Sequence, residues 1–194
     1  MNHEHIPGAQ PEHESTHTTP SIYVASLADY NNGLLLGDWI DATIGADAIH
    51  EKIAAILARS KEFAPEEWAI HDYEGFGTKH LGEYESIEYV AALAEGIEKY
   101  GEAFAAWVDY SGLDVEDWHY FEDAYLGEYP DLTAYAEQIV EDLGWRDLID
   151  EHVPEGMKSY VRIDTEQMAE DMRLGGEFYC VESDAGIYVF NGHI

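Results

Sequence analysis

Apolar positions divide the chain into an alternating opening, a helical middle and a mixed ending. Ile22 to Leu27 is apolar enough for a strand. Asn31-Asn32-Gly33 marks a turn, and Leu34 to Ile40 returns as a second short strand. Ile49, Ile53, Ile56 and Leu57 recur at helical spacing, which predicts a helix from Ala48 to Ser60 capped by Asp47. Lys52, Arg59 and Lys61 sit towards its end, where the helix dipole favours cations. Trp68 to Tyr73, after Pro65, reads as a strand.

The middle is helical. Ser86 caps a segment to Tyr100 with Ile87, Val90, Ala91, Ala94 and Ile97 facing inwards, and Gly101 separates it from a second helix over Glu102 to Tyr110. Asp114, with Asp117 three positions on, resembles a weak capping box. It opens a predicted helix whose packed stripe is Trp118, Phe121 and Tyr125 and whose stops are Gly127 and Pro130. Asp131 caps a helix over Leu132 to Leu143, which Gly144 ends. Tyr160 to Ile163 alternates like a strand, and Asp164 caps a helix over Thr165 to Leu174 that Gly175-Gly176 terminates. Glu177 to Glu182 and Ile187 to Phe190 read as two strands joined through Ser183 to Gly186. No internal repeat of solenoid period is present.

These elements predict an α+β chain in four parts: a disordered extension over 1–20, an α/β lobe over 21–80, a central acidic helical lobe over 81–125, and a mixed α/β lobe over 126–194. The extension carries His3, His5, His13 and His17, whose spacing matches no closed zinc site.

Charge changes the picture most. The 194 residues hold 41 acids against nine Lys and Arg, a formal net charge of −32, far beyond what solubility requires. Asp114 to Asp131 alone holds seven carboxylates and no Lys or Arg, and no positive side chain lies between Lys99 and Arg146. A merely solvating acidic run lacks large aromatics; this one contains Trp118, Tyr120, Phe121, Tyr125 and Tyr129, enough to fold. The sign opposes binding to nucleic acid through a basic groove and docking on an anionic membrane, and points to a basic partner. With about one charge per 1.7 Å of duplex axis, −32 equals the charge of roughly 54 Å of DNA. No apolar run approaches the ~18 residues of a membrane span. The N-terminus has no signal-peptide pattern, and the single Cys180 sits in an apolar run that predicts a buried thiol. A cytoplasmic location is expected.

Catalytic and cofactor patterns do not emerge. Nothing selects two glycosidase acids from 41. His50-Glu51 lacks a second histidine at zincin spacing, and no window fits a calcium loop. Gly75-Phe76-Gly77 lacks the further glycine of a dinucleotide site, and no phosphate-loop motif occurs. The expectation is a non-enzyme without cofactor or metal. The charge alone leaves three alternatives open: a protein adapted to high salt, a cation-binding protein, and a chaperone of basic proteins.

The ordered words of the chain are more specific. Ile22-Tyr23-Val24-Ala25, Tyr30-Asn31-Asn32-Gly33 and Gly37-Asp38-Trp39-Ile40-Asp41-Ala42 resemble the opening of the ArdA antirestriction family. So do the stretch Glu67 to Phe76, the acidic run around Glu116 to Tyr129 (the region of that family's antirestriction motif), and the ending from Gly176 to Phe190. The resemblance covers about residues 21 to 191. It implies an elongated, three-lobed homodimer joined through its C-terminal lobe, with a surface that mimics DNA. It also implies that the protein occupies the DNA-binding groove of type I restriction-modification enzymes, blocking restriction and to a varying degree modification. The candidate partner-binding residues are Asp114, Glu116, Asp117, Glu122, Asp123 and Glu128, supported by Glu95, Glu98, Glu102, Asp109, Glu141 and Asp142. Trp118, Phe121 and Tyr125 are expected to be the scaffold beneath them.

Overall fold

The computed structural model describes residues 18–62 and 65–194. The four histidines of the extension and most of the segment expected to be disordered lie outside the described residues. Pro20 is buried, and its carbonyl accepts a 2.8 Å hydrogen bond from the Ala42 N–H.

The chain is α+β, with two three-stranded antiparallel sheets separated in sequence by helices. The first contains β1 (Ser21–Ser26), β2 (Gly37–Asp41) and β3 (Trp68–Glu74) in the order β2-β1-β3. Ile22 sits opposite Ile40 on one side and Tyr73 on the other. Between β1 and β2 a one-turn helix, α1 (Leu27–Asn31), precedes the turn expected at Asn31-Asn32-Gly33, which forms with Gly33 at φ 80°. Ser26 causes the helix: its Oγ accepts from the Asp29 N–H and donates to the Asp29 carboxylate at 2.6 Å, so a buried acid is held locally. The helix α2 (Ala46–Leu57) starts earlier than its pattern predicts. Gly45 precedes it with φ 87° and no side-chain cap, and Asp47 lies inside the first turn. Ile49, Ile53 and Ile56 form its buried face.

The middle is α3 (Ile87–Tyr100) and α4 (Glu102–Ser111), joined at Gly101. Ser86 caps α3 by accepting from the Tyr89 N–H, as its position predicts. The Phe104 ring lies so close to α3 that a Cβ at Gly96 would overlap it, which explains a glycine in a helix interior.

The predicted helix after Asp114 does not form as such. Val115 to Tyr120 is a 3-10 turn, α5 (Phe121–Ala124) is a single turn, and Tyr125 turns into β4 (Tyr125–Tyr129). Asp114 makes no side-chain cap. Pairing across the chain overrides the helical spacing: β4 lies along β6 (Gly186–Asn191), with Gly127 opposite Val189 and Glu128 opposite Tyr188. The second sheet has the order β4-β6-β5, with β5 (Phe178–Ser183) on the far side of β6.

Asp131 caps α6 (Leu132–Asp142) by accepting from the Ala134 N–H at 2.8 Å. Gly144, with φ 64°, does end that helix, but the chain at once enters α7 (Trp145–His152), an element absent from the expected pattern. Glu155 to Tyr160 is another 3-10 turn, and the strand expected over Tyr160 to Ile163 is absent. Asp164 caps α8 (Thr165–Gly175), and Gly176 closes it in the left-handed region.

One contiguous buried cluster runs from Ile22, Val24 and Ile70 of the first sheet, through Val90, Leu93, Phe104 and Trp107, to Phe121 and Phe190. Ala136 and Val140 of α6 are buried beside Ala169 of α8 and Phe178 of β5, where the Tyr135 ring meets Phe178 edge-on at 5.3 Å.

Candidate functional site

The candidate acids are carried by α3, α4, the turn after them, β4 and α6. On α3 the buried face is Val90, Leu93, Ala94 and Ile97, which leaves Glu95 and Glu98 exposed. On α4 the buried run Ala103 to Val108 leaves Glu102 and Asp109 exposed at its two ends.

The next stretch holds its acids out by holding its aromatics in. Trp118 and Phe121 are 6% and 2% exposed. Phe121 packs at 5.2 Å from Phe104 and 5.6 Å from Trp107, and Trp118 meets Phe104 edge-on at 5.5 Å. The Trp118 indole N–H donates to the Leu113 carbonyl at 3.0 Å, so its one polar atom is satisfied. With these rings fixed, Asp114, Glu116, Glu122 and Asp123 face solvent, while Asp117 is half-buried. Tyr125 stacks on Phe121 at 5.3 Å and starts β4, on which Glu128 is exposed. Burial, assisted by the Glu128 charge, pushes the Tyr125 phenol up to about 12, so it stays neutral beside the acids. The scaffold role expected of Trp118, Phe121 and Tyr125 is what their burial and stacking describe.

Two candidate acids are already compensated from distant positions. Lys99 Nζ lies 3.0 Å from Glu122, and the Tyr100 hydroxyl donates to the same carboxylate oxygen. The Tyr100 hydrogen bond first, then Lys99, hold Glu122 below the usual carboxylate range. Lys79 Nζ lies 3.1 Å from Asp109. Partial burial opposes the charge of Lys79, but Asp109 and Tyr89 raise its pKa on balance. The absence of basic residues from Tyr100 to Trp145 in the sequence therefore does not leave that stretch without cations in space. Among the described residues no ion pair involves Glu95, Glu98, Glu102, Asp114, Glu116, Asp117, Asp123, Glu128, Glu141 or Asp142.

Several acids bear on tyrosines. The Tyr188 phenol on β6 is raised by burial first and then by the charges of Glu128, Glu102 and Asp184. The Tyr129 phenol is raised by burial and then by Asp142, which links α6 to β4. Asp142 also accepts from the Gln138 side chain at 2.8 Å. Glu141 is exposed on α6, and no hydrogen bond or ion pair ties it to the other candidates among the described residues. Asp184, in the turn between β5 and β6, is not one of the candidate residues; its place at a hairpin tip is the available signal.

Cys180 is half-buried rather than enclosed, and burial raises its thiol. Among the described residues, no group of three or more His, Cys, Asp or Glu is placed to hold a metal ion. No helix there is long and apolar enough to cross a membrane.

The model of a family described as antirestriction protein (ArdA) matches residues 22–186. No curated protein matches the chain.

Proposed function

The chain belongs to the ArdA antirestriction family, and we propose that it acts by standing in for duplex DNA in the DNA-binding groove of a type I restriction-modification enzyme. Antirestriction is the general role that membership carries. In the proposed mechanism Asp and Glu side chains meet the groove's Lys and Arg where DNA phosphates would otherwise lie. Exposed pairs at the rim speed the encounter, and pairs that become buried set the lifetime. DNA is excluded from cleavage and, to the extent that the groove is shared, from modification.

The observation that carries this reading is the pairing of fixed aromatics with outward acids from α3 to β4. Trp118 and Phe121 are locked in the core while Asp114, Glu116 and Asp123 project from the same short stretch. Charges held on a folded support lose less conformational freedom on binding than charges on a mobile tail. Glu122 and Asp109, already paired within the molecule, contribute less than their uncompensated neighbours.

We further propose an elongated homodimer joined through the C-terminal lobe, acting in the cytoplasm. Support comes from residues 143 to 174, where Leu143, Trp145, Leu148, Met157, Tyr160 and Leu174 are exposed and α7 has no buried residue. Apolar side chains in that density are covered in an assembly more often than left in water.

The test is a competition assay. Purified protein is added to a type I restriction enzyme with its DNA, and binding and cleavage are followed. Inhibition at near-stoichiometric protein, weakened by added salt, is expected. An enzyme panel whose DNA binding is untouched at large excess overturns the mechanism.

A further inference from the structure

Among the described residues β5 pairs with β6 on one side and with no strand on the other. Two observations fix which of its backbone groups face the open side. The Gly192 N–H donates to the Glu177 carbonyl at 2.9 Å, and Ser183 sits opposite Gly186 across the turn at Asp184-Ala185. Opposed residues of an antiparallel ladder alternate between pairs that exchange both bonds and pairs that exchange none. Tyr179, Val181 and Ser183 therefore bond to β6, and the N–H and C=O of Phe178, Cys180 and Glu182 point away from it. Among the described residues no backbone hydrogen bond from outside the sheet reaches these outward groups.

A groove of about 600 Å³ lies along this edge. Tyr179 stacks on Tyr110 of α4 at 4.0 Å, whereas Phe178 meets Tyr135 of α6 on the opposite face of the sheet. Phe178, Tyr179 and Cys180 all line the groove, with Tyr110 on the α4 side and Arg173 on the α8 side. A groove that touches residues of both faces runs along the strand's edge. In a chain with 41 acids none lines it, and its one charged side chain is Arg173. Proteins blunt open edges with lysine, proline or a bulge. The β4 edge of the same sheet has a register shift between Tyr125 and Gly127, whereas β5 runs unbroken along β6 and contains no Lys, Arg or Pro.

We propose that the free edge of β5 pairs antiparallel with β5 of a second copy, joining the two sheets into one across a two-fold axis. The proposal rests on the reading of a homodimer joined through the C-terminal lobe and names the strand that joins it. An axis at Cys180 sets Cys180 against its own copy and Phe178 against Glu182 of the partner subunit. All three outward residues then find a partner that exchanges both bonds, and Glu182 faces no acid. Moving the axis to Tyr179 or to Val181 leaves Glu182 or Phe178 opposite a residue outside the strand. The strand is thus complementary to itself in one register. With −32 on each copy, self-association favours a contact poor in acids, which this groove is. Leu174, exposed beside Arg173 on α8, connects the groove to the exposed apolar stretch over residues 143 to 174.

The single cysteine makes the test direct. In a bonded antiparallel pair the Cα atoms stand about 5.5 Å apart with both side chains on one face. The full wild-type chain is followed by sedimentation across a dilution series and treated at each concentration with dibromobimane, a short thiol-to-thiol cross-linker. A Cys180-to-Cys180 cross-link, identified by mass spectrometry, should rise and fall with the dimer. Amide hydrogen exchange on the unmodified protein is the second reading. The Cys180 and Glu182 amides should exchange at least about tenfold more slowly in the dimer than after dilution, while Tyr179 and Val181, bonded to β6 in both states, should change little. Cys180→Pro deletes an outward donor without touching the β6 ladder and should weaken the dimer at least about tenfold, whereas Cys180→Ser should not. Should the proline variant fail to fold, exchange on the wild type decides. A dimer with neither cross-link nor slowed exchange at Cys180 overturns the β5 seam and leaves the homodimer standing. A monomer at every concentration overturns both.

Discussion

Residues 114 to 131 and 143 to 174 are both rich in acids and large apolar side chains, and they dispose of them in opposite ways. In the first, Trp118 and Phe121 are 6% and 2% exposed and the acids stand outside. In the second, Tyr160 is 79% and Leu174 70% exposed, and neither α7 nor the following 3-10 turn buries a residue. The cations divide the same way: none lies in the first stretch, whereas Arg146, Lys158, Arg162 and Arg173 lie in the second. Lys158 pairs with Asp150 and Glu155, and Arg173 with Glu170, so the second stretch neutralises much of its own charge. Composition alone does not separate a stretch that presents its charges from one that presents its apolar side chains. What separates them is which side chains the fold encloses.

The largest effect expected from that difference is on the enclosed side. Phe121→Ala removes a ring that touches Phe104, Trp107 and Tyr125. It should cost about 3–5 kcal/mol in chemical denaturation, whereas Tyr160→Ala should change the monomer's stability by no more than about 0.5 kcal/mol. Similar losses for both would erase the contrast. The next effect is on association. Leu148→Asp with Tyr160→Asp places charges in the exposed apolar face and should weaken the proposed dimer by about 2–4 kcal/mol, read by sedimentation across a dilution series, with the monomer's circular dichroism retained. An unchanged dimer would move the contact elsewhere.

The two stretches also differ in how far the sequence revealed them. The caps at Ser86, Asp131 and Asp164 formed where local chemistry predicts, because each bond spans three residues. The stripe Trp118, Phe121, Tyr125 has helical spacing, yet the chain leaves the helix at Tyr125, since β6 offers a pairing partner more than 50 residues away. The converse occurs at Tyr160 to Ile163, where alternation without a neighbouring strand yields no strand. The outward acids of α3 were legible from helical period, whereas on α4 the consecutive buried residues Ala103 to Val108 show no such period. The pairs Lys99–Glu122 and Lys79–Asp109 were not, because they bridge 23 and 30 positions and depend on how the elements pack.

A smaller effect concerns Glu122, the acid that the fold has already claimed. Its carboxyl is held below the usual range by Tyr100 and then Lys99. A lowered folded-state value means that the ionised form stabilises the fold above the unfolded value, about 4.3 for Glu, and that this contribution is lost as pH falls through the folded value. Glu122→Gln should therefore be less stable than wild type near neutrality, with the gap closing below about pH 4. Denaturation midpoints across that range check it, and a gap that is constant with pH would mean that the pair is not maintained in solution.

The smallest effects should come from single uncompensated acids, and their smallness is itself informative. Asp117→Asn, Asp123→Asn or Glu128→Gln removes one of many carboxylates on a surface whose attraction is a sum. An exposed pair contributes about 0.2–1 kcal/mol, so each substitution should shift half-inhibition of a type I enzyme by no more than about fivefold. The shift should shrink further in higher salt as screening removes the difference. Combining the three should add their free energies, since charges on separate elements with no shared partner behave independently. Asp117 is the sharpest of the three because it is half-buried beside Trp118. If Asp117→Asn alone abolished inhibition while the denaturation midpoint stayed put, the surface would have one indispensable charge, and the contrast between the two stretches would become one between a single contact and an apolar face.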